Sequence, residues 1–105
     1  LKEAGIWIKA NSSHPYPKIM MRHEGVEYYS EGKTVYTPEI SYNEVLKYAR
    51  KNNVDFIVAW EEELAADKYL MGLLSDKIQH PGLQKVYSFK GHSNIIIYEI
   101  DDSNN

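Results

Sequence analysis

The chain has 105 residues, no cysteine and a formal net charge of −3. This length accommodates one domain with a single core, and 43% hydrophobic with 26% charged residues is the balance of a folded chain. The lack of cysteine excludes disulfides, thiol catalysis and Cys-based metal sites, and the lack of a basic stripe argues against a nucleic-acid partner.

The chain begins within a helical pattern. Ile6, Trp7 and Ala10 fall near one helical stripe, which predicts a helix. That helix ends at a loop over residues 11–17, where two prolines exclude regular structure. Neither an initiator Met nor a capping residue precedes it, so we expect a fragment of a longer protein. No apolar run approaches the roughly 18 residues of a membrane span.

Two short strands are predicted in the next segment. Residues 18–22 form an apolar run typical of a buried strand. Residues 34–37 are β-branched and aromatic, which favours a second strand that ends at Pro38. One helical turn is predicted between these strands, at residues 26–30.

The next helix and strand have the clearest signals in the sequence. Ser41 and Glu44 have the spacing of a capping box, and apolar residues then recur at helical spacing. A near-continuous apolar run over residues 54–60 follows, and it is typical of a central strand covered on both faces.

One helix and a hairpin are predicted in the last third of the chain. The helix covers residues 64–78, and the acids before it suit the positive end of its dipole. Two strands follow, at residues 83–89 and 94–100, and their short connection predicts an antiparallel hairpin. Residues 100–105 are expected to form a frayed tail.

The element order predicts the fold. Helices and strands alternate through the first three strands, which indicates parallel pairing, and the final hairpin adds an antiparallel edge. We therefore expect residues 1–105 to form a single soluble α/β domain. Its predicted architecture is a three-layer α/β/α sandwich around a mixed sheet of about five strands.

Motifs of the common catalytic and cofactor sites are absent from the sequence. The four histidines lack the spacing of metal ligands, the glycines form no phosphate-binding loop, and no GxSxG elbow occurs. No metal ion and no cofactor is predicted.

One group of residues stands out at the predicted strand ends. Ligands of open parallel sheets bind beyond the carboxyl ends of the strands, and three such ends here carry aromatic, acidic and basic side chains. This chemistry suits a sugar or an anionic headgroup. The candidate ligand-binding residues are Arg22, His23, Glu24, Tyr36, Trp60, Glu61 and Glu62.

The order of several short segments resembles a known family. The segments are Gly5-Ile6-Trp7-Ile8-Lys9, Ile19-Met20-Met21-Arg22, Val26-Glu27-Tyr28-Tyr29-Ser30-Glu31-Gly32, Val35-Tyr36-Thr37-Pro38, Asn53-Val54-Asp55-Phe56-Ile57-Val58 and Ile96-Ile97-Tyr98-Glu99-Ile100. Together they are similar to the C-terminal extracytoplasmic domain of polytopic membrane glycosyltransferases of the dolichyl-phosphate-mannose–protein mannosyltransferase type (glycosyltransferase family 39, GT-C superfamily).

The resemblance implies a parent protein that transfers a sugar from a polyprenyl-phosphate donor. In that family the catalytic acids lie near the start of the membrane region, so no catalytic residue is carried over to this chain. The domain is then an accessory at the extracytoplasmic face of the membrane, for acceptor recognition or stabilisation. Its implied partners are the transmembrane region of its own parent chain and a glycan or protein acceptor.

Two alternatives come from the residues alone. The first is a freestanding α/β ligand-binding or regulatory module, which would bind its ligand through Trp60 or Arg22. The second is a small enzyme in which His23 works with Glu24 or Glu61 as an acid–base pair. No nucleophile or oxyanion device accompanies that pair in the sequence.

Overall fold

A central sheet of five strands organises the protein. The computed structural model describes residues 1–101. The strands are β1 Lys18–Met20, β2 Lys33–Val35, β3 Phe56–Trp60, β4 Leu83–Phe89 and β5 Ile95–Ile100. They lie in the order β2-β1-β3-β5-β4, with β1 parallel to β2 and β3, and β5 antiparallel to β3 and β4. The predicted mixed sheet with a parallel core and a C-terminal hairpin is confirmed.

Helices cover both faces of this sheet. They are α1 Lys2–Asn11, α2 Val26–Ser30, α3 Tyr42–Lys51 and α4 Glu61–Leu64, followed by a 3₁₀ segment at Met71–Leu74. Buried residues of α1 and α2 pack with one side of β1, β3 and β5. Buried residues of α3, α4 and the 3₁₀ segment pack with the other side. These two apolar clusters make the protein a three-layer sandwich, as predicted.

The first helix buries a different face from the one predicted. Ala4, Gly5 and Ile8 are buried, whereas Ile6 is 49% exposed. Gly5 explains the difference, because α2 crosses at that point and a Cβ on Gly5 would lie 2.6 Å from the Cβ of Tyr29. The close approach of the two helices therefore determines which stripe of α1 faces the sheet.

The third helix begins where the sequence predicted, but without the predicted capping box. Ser41 is the N-cap residue, and its carbonyl accepts the first helical hydrogen bond, from the Val45 N–H, at 2.9 Å. Its side chain makes no capping hydrogen bond. The Glu44 carboxylate instead faces Lys47, with Oε1 3.8 Å from Nζ. Glu44 is thus directed along the helix rather than back to its N-terminus.

The predicted helix over residues 64–78 is wrong. The chain leaves α4 after Leu64, turns at residues 65–70, and forms only the short 3₁₀ segment before β4. The physical reason is Asp67, whose Oδ1 accepts the backbone N–H groups of Tyr69 and Leu70, both at 2.9 Å. When an aspartate side chain bonds to the N–H groups of the residues that follow it, this bonding competes with the hydrogen bonds of a continuing helix.

Smaller differences occur at the strand ends. β1 ends at Met20, two residues earlier than predicted, and β2 is shifted toward the N-terminus. At the other end of the chain Ile100 still belongs to β5, and the Asp101 N–H donates to the Gly82 carbonyl at 2.8 Å. The rest of the predicted tail, residues 102–105, lies outside the described residues.

The connections that leave β1 and β3 run to opposite faces of the sheet. From β1 the chain passes to α2, whose Val26 belongs to one apolar cluster. From β3 it passes to α4, whose Leu64 belongs to the other. Because β1 and β3 are neighbours, a crevice lies between their carboxyl ends, and such a crevice is where open α/β sheets bind their ligands.

Candidate functional site

A buried ion pair occupies the crevice beyond β1 and β3. Arg22 follows β1, and its Nη2 lies 2.6 Å from Oδ2 of Asp67 in the turn after α4. The side chains of Arg22 and Asp67 are only 12% and 7% exposed. A charge-assisted hydrogen bond of this length between two partly buried groups ties the two loops together.

The remaining donors of Arg22 reach the loops on either side. Its Nε donates to the carbonyl of Thr37 at 3.0 Å, and Nη2 lies 3.4 Å from the carbonyl of Pro38. Nη1 lies 3.5 Å from the Glu63 carbonyl, and the Arg22 backbone N–H donates to Oε1 of Glu63 at 3.1 Å. Most of the guanidinium donors are therefore used within the protein, and Arg22 joins the carboxyl ends of all three parallel strands.

The two acids beside Arg22 have pKa values displaced in opposite directions. Burial raises the pKa of Glu63, and this effect exceeds the opposing one of the Arg22 hydrogen bond and charge. Burial acts in the same direction on Asp67, but hydrogen bonds from Arg22, Tyr69 and Leu70 outweigh it and hold the pKa of Asp67 below its ordinary value. The charged form of Asp67 is therefore stabilised by its hydrogen bonds, whereas burial disfavours the charged form of Glu63.

The structure divides the other predicted ligand-binding residues among separate places. Tyr36 stays with Arg22, its ring 6.0 Å from the guanidinium carbon, and it is 58% exposed. His23 packs edge-on against Trp60, with ring centroids 5.9 Å apart, and its Nδ1 accepts the Gly25 N–H at 2.9 Å. Trp60 also packs at the edge of the apolar cluster under α1.

Glu61 and Glu62 accept hydrogen bonds from the hairpin turn instead of facing Arg22. Oε1 of Glu61 accepts the Asn94 N–H at 3.1 Å, and Oε2 of Glu62 accepts the Ser93 hydroxyl at 2.7 Å. Glu24 is exposed, and its backbone carbonyl accepts the N–H of Glu27 at 3.0 Å. Among the described residues, no hydrogen bond joins His23 to Glu24 or Glu61, so the predicted acid–base pair is not assembled.

A cleft of about 500 Å³ opens beside the buried ion pair, and we call it the Arg22 cleft. Its charged and aromatic lining residues are Arg22, Glu39, Glu63, Asp67, Lys68 and Tyr69. The prediction from sequence identified only Arg22 among them. Asp67 could have been found, because an aspartate often bonds to the backbone two residues further on and so favours a turn, but the prediction of a continuous helix concealed it.

A larger cleft, of about 730 Å³, lies at the opposite edge of the sheet. His14, Tyr16 and Lys18 line it, next to the amino ends of the parallel strands. Its polar groups already serve the fold, since Lys18 Nζ donates to the Asn52 carbonyl and the Lys18 N–H donates to Asp55. The Arg22 cleft has the topological position of a ligand site, and the larger one does not.

Three further findings bear on the site. No group of three or more His, Asp or Glu residues within residues 1–101 is arranged to hold a metal ion. In the same range, no helix has the length and apolar character needed to cross a membrane. Comparison of the chain with protein-family models, curated proteins and solved structures gave no significant match.

Proposed function

We propose that this chain is a non-catalytic accessory domain of a membrane glycosyltransferase that uses a polyprenyl-phosphate sugar donor. The domain lies at the extracytoplasmic face, beside the transmembrane region of its own parent chain. There it contributes to acceptor recognition or to the stability of the assembly.

The observation that carries this proposal is a direct contact between two of the segments on which the family resemblance rests. Arg22 lies just after β1, and Thr37 and Pro38 lie just after β2. The two segments are joined directly, because Arg22 donates to the carbonyls of Thr37 and Pro38. The arginine of the resemblance thus holds the fold together, as a residue of an accessory domain would. A catalytic arginine would have its donors directed at a substrate.

A freestanding ligand-binding module is the second candidate. It is favoured by the Arg22 cleft, which lies at the crevice where unrelated α/β proteins bind ligands. This reading needs no membrane partner. Both candidates are compatible with a ligand in the Arg22 cleft, and they differ in whether the domain belongs to a membrane protein or stands alone.

The coding sequence upstream of Leu1 tests the proposal. We expect several apolar stretches of about 20 residues, with paired acids in the first extracytoplasmic loop. A start codon close to Leu1, or a water-soluble domain upstream, would refute the glycosyltransferase assignment and favour the module. In a transfer assay with a polyprenyl-phosphate sugar, the chain of 105 residues alone should show no turnover.

A further inference from the structure

The charge of the Arg22 cleft argues against an anionic ligand. Three of its lining residues are acids (Glu39, Glu63 and Asp67) and two are bases (Arg22 and Lys68). Arg22 directs its donors to Asp67 and to backbone carbonyls, so its charge is largely neutralised within the protein. A phosphate in the cleft would meet more carboxylates than free cations, which is unfavourable.

The cleft instead presents hydrogen-bond acceptors beside an aromatic ring. Glu39 is exposed at its rim, and Glu63 faces it from α4. Tyr69 is 49% exposed, and the ammonium of Lys68 lies 5.1 Å from its ring centroid. An aromatic ring with a polar edge suits a ligand that has both an apolar face and hydroxyl groups.

We propose that the Arg22 cleft binds an uncharged saccharide, whose hydroxyls donate to Glu39 and Glu63 and whose C–H face packs on Tyr69. The identification of this saccharide as part of the acceptor rests on the proposed function; the binding itself does not. A volume of about 500 Å³ has room for one or two sugar rings and lies in the usual range for small-ligand sites, about 300–1,000 Å³.

A titration followed by two-dimensional NMR of the isotope-labelled chain tests the binding. The probes are methyl α-mannoside, a mannose disaccharide, N,N′-diacetylchitobiose, inorganic phosphate and a trilysine peptide, each at millimolar concentration. We expect at least one saccharide to shift the backbone amide signals of Glu63, Lys68 and Tyr69 in a saturable way. Phosphate should leave these three signals in place.

Two matched tyrosine variants locate the binding. Tyr69→Ala removes the ring that packs on the sugar, and we expect the affinity to fall by roughly two- to tenfold, the range of aromatic contacts in proteins. Tyr16→Ala removes a ring that is 75% exposed at the opposite edge of the sheet, and it should leave the affinity unchanged. Equal losses in both variants would overturn the assignment to the cleft.

Each remaining outcome also decides the question. If no saccharide shifts the cleft signals, or if phosphate shifts them more strongly, the saccharide assignment is wrong. If trilysine alone shifts them, the cleft binds a basic peptide segment instead. Saccharide binding together with a soluble upstream sequence would retain the cleft and refute the membrane glycosyltransferase. If the parent protein is membrane-embedded but no saccharide binds, the saccharide assignment is refuted and the membrane glycosyltransferase is retained.

Discussion

Loss of the Arg22–Asp67 ion pair should cost this domain a large part of its stability. Arg22→Met leaves the Asp67 carboxylate 7% exposed with only two backbone N–H partners. Breaking a fully buried pair from one side costs about 3–5 kcal/mol, and we expect about 3 kcal/mol here because Arg22 and Asp67 are partly buried. The whole free energy of unfolding of a domain is typically about 5–15 kcal/mol. The melting temperature should therefore fall by roughly 12–24 °C.

A double-mutant cycle separates the pair from the other roles of its members. Asp67→Asn retains an oxygen that accepts the Tyr69 and Leu70 N–H groups, so it removes the charge and keeps the turn. We expect Arg22→Met and Asp67→Asn to be coupled by about 2–3 kcal/mol. The assay is urea denaturation followed by tryptophan fluorescence, analysed by linear extrapolation with the slope checked for constancy.

The exposed ion pair of Lys9 and Glu31 is the matched control. Its side chains are 59% and 54% exposed, and such pairs contribute about 0–1 kcal/mol. Lys9→Met and Glu31→Gln should therefore be coupled by less than the buried pair. A coupling of Arg22 with Asp67 no larger than the control would refute the role that we assign to the buried pair.

The pH dependence of the same variants gives an independent check. The pKa of Asp67 in the folded protein lies below its ordinary value of 3.8, so the charged form stabilises the fold. That contribution is present above the ordinary value and is lost as the pH falls through the folded-state pKa. The stability difference between the wild type and Arg22→Met should therefore shrink in acid. A difference that stays constant below the ordinary value would contradict the assignment.

Three further changes test other parts of the structure. Burial raises the pKa of Tyr98 to about 12, so the wild type should lose stability as the pH rises from its ordinary value of 10.0 toward 12. The Tyr98 hydroxyl donates to the carbonyl of Leu73 at 2.6 Å. Tyr98→Phe should therefore flatten that window in alkaline urea titrations, and it should cost about 1–3 kcal/mol at neutral pH because the Leu73 carbonyl loses this hydrogen bond. Gly32→Ala places a Cβ against the carbonyl oxygen of Pro17 and should cost about 1–3 kcal/mol of the free energy of unfolding. Gly72→Ala places a Cβ that meets nothing within 4 Å and should stay within about 0.5 kcal/mol of the wild type in the same denaturation assay. The pKa of the Glu63 carboxyl is raised from its ordinary value of 4.5, so Glu63→Gln should increase the free energy of unfolding at neutral pH. This gain should vanish below the ordinary pKa, and a gain that persists in acid would have another origin.

The candidate site was only partly predictable from the sequence. Strand ends identify Arg22 and Tyr36, because the carboxyl ends of parallel strands meet at one edge of the sheet. The same rule also selected Glu61 and Glu62, which bond to the hairpin turn instead. Rotation of the short helix α4 directs Glu63 to Arg22 and its two neighbours elsewhere, and no pattern in the sequence records that rotation.

The fold class and the hairpin follow from local sequence, whereas the order β2-β1-β3-β5-β4 was not predicted, because β5 rather than β4 pairs with β3. Apolar runs, prolines and the short hairpin connection are effects of neighbouring residues, so they predict the α/β fold and the five-strand mixed sheet without tertiary information. The segment after α4 is different. Its residues favour a helix locally, but Asp67 bonds to the backbone N–H groups of Tyr69 and Leu70 and to Arg22, which is 45 residues away along the chain. Only the folded structure brings these groups together, because Arg22 and Asp67 are distant in sequence and meet only when the loop after β1 and the turn after α4 are packed side by side.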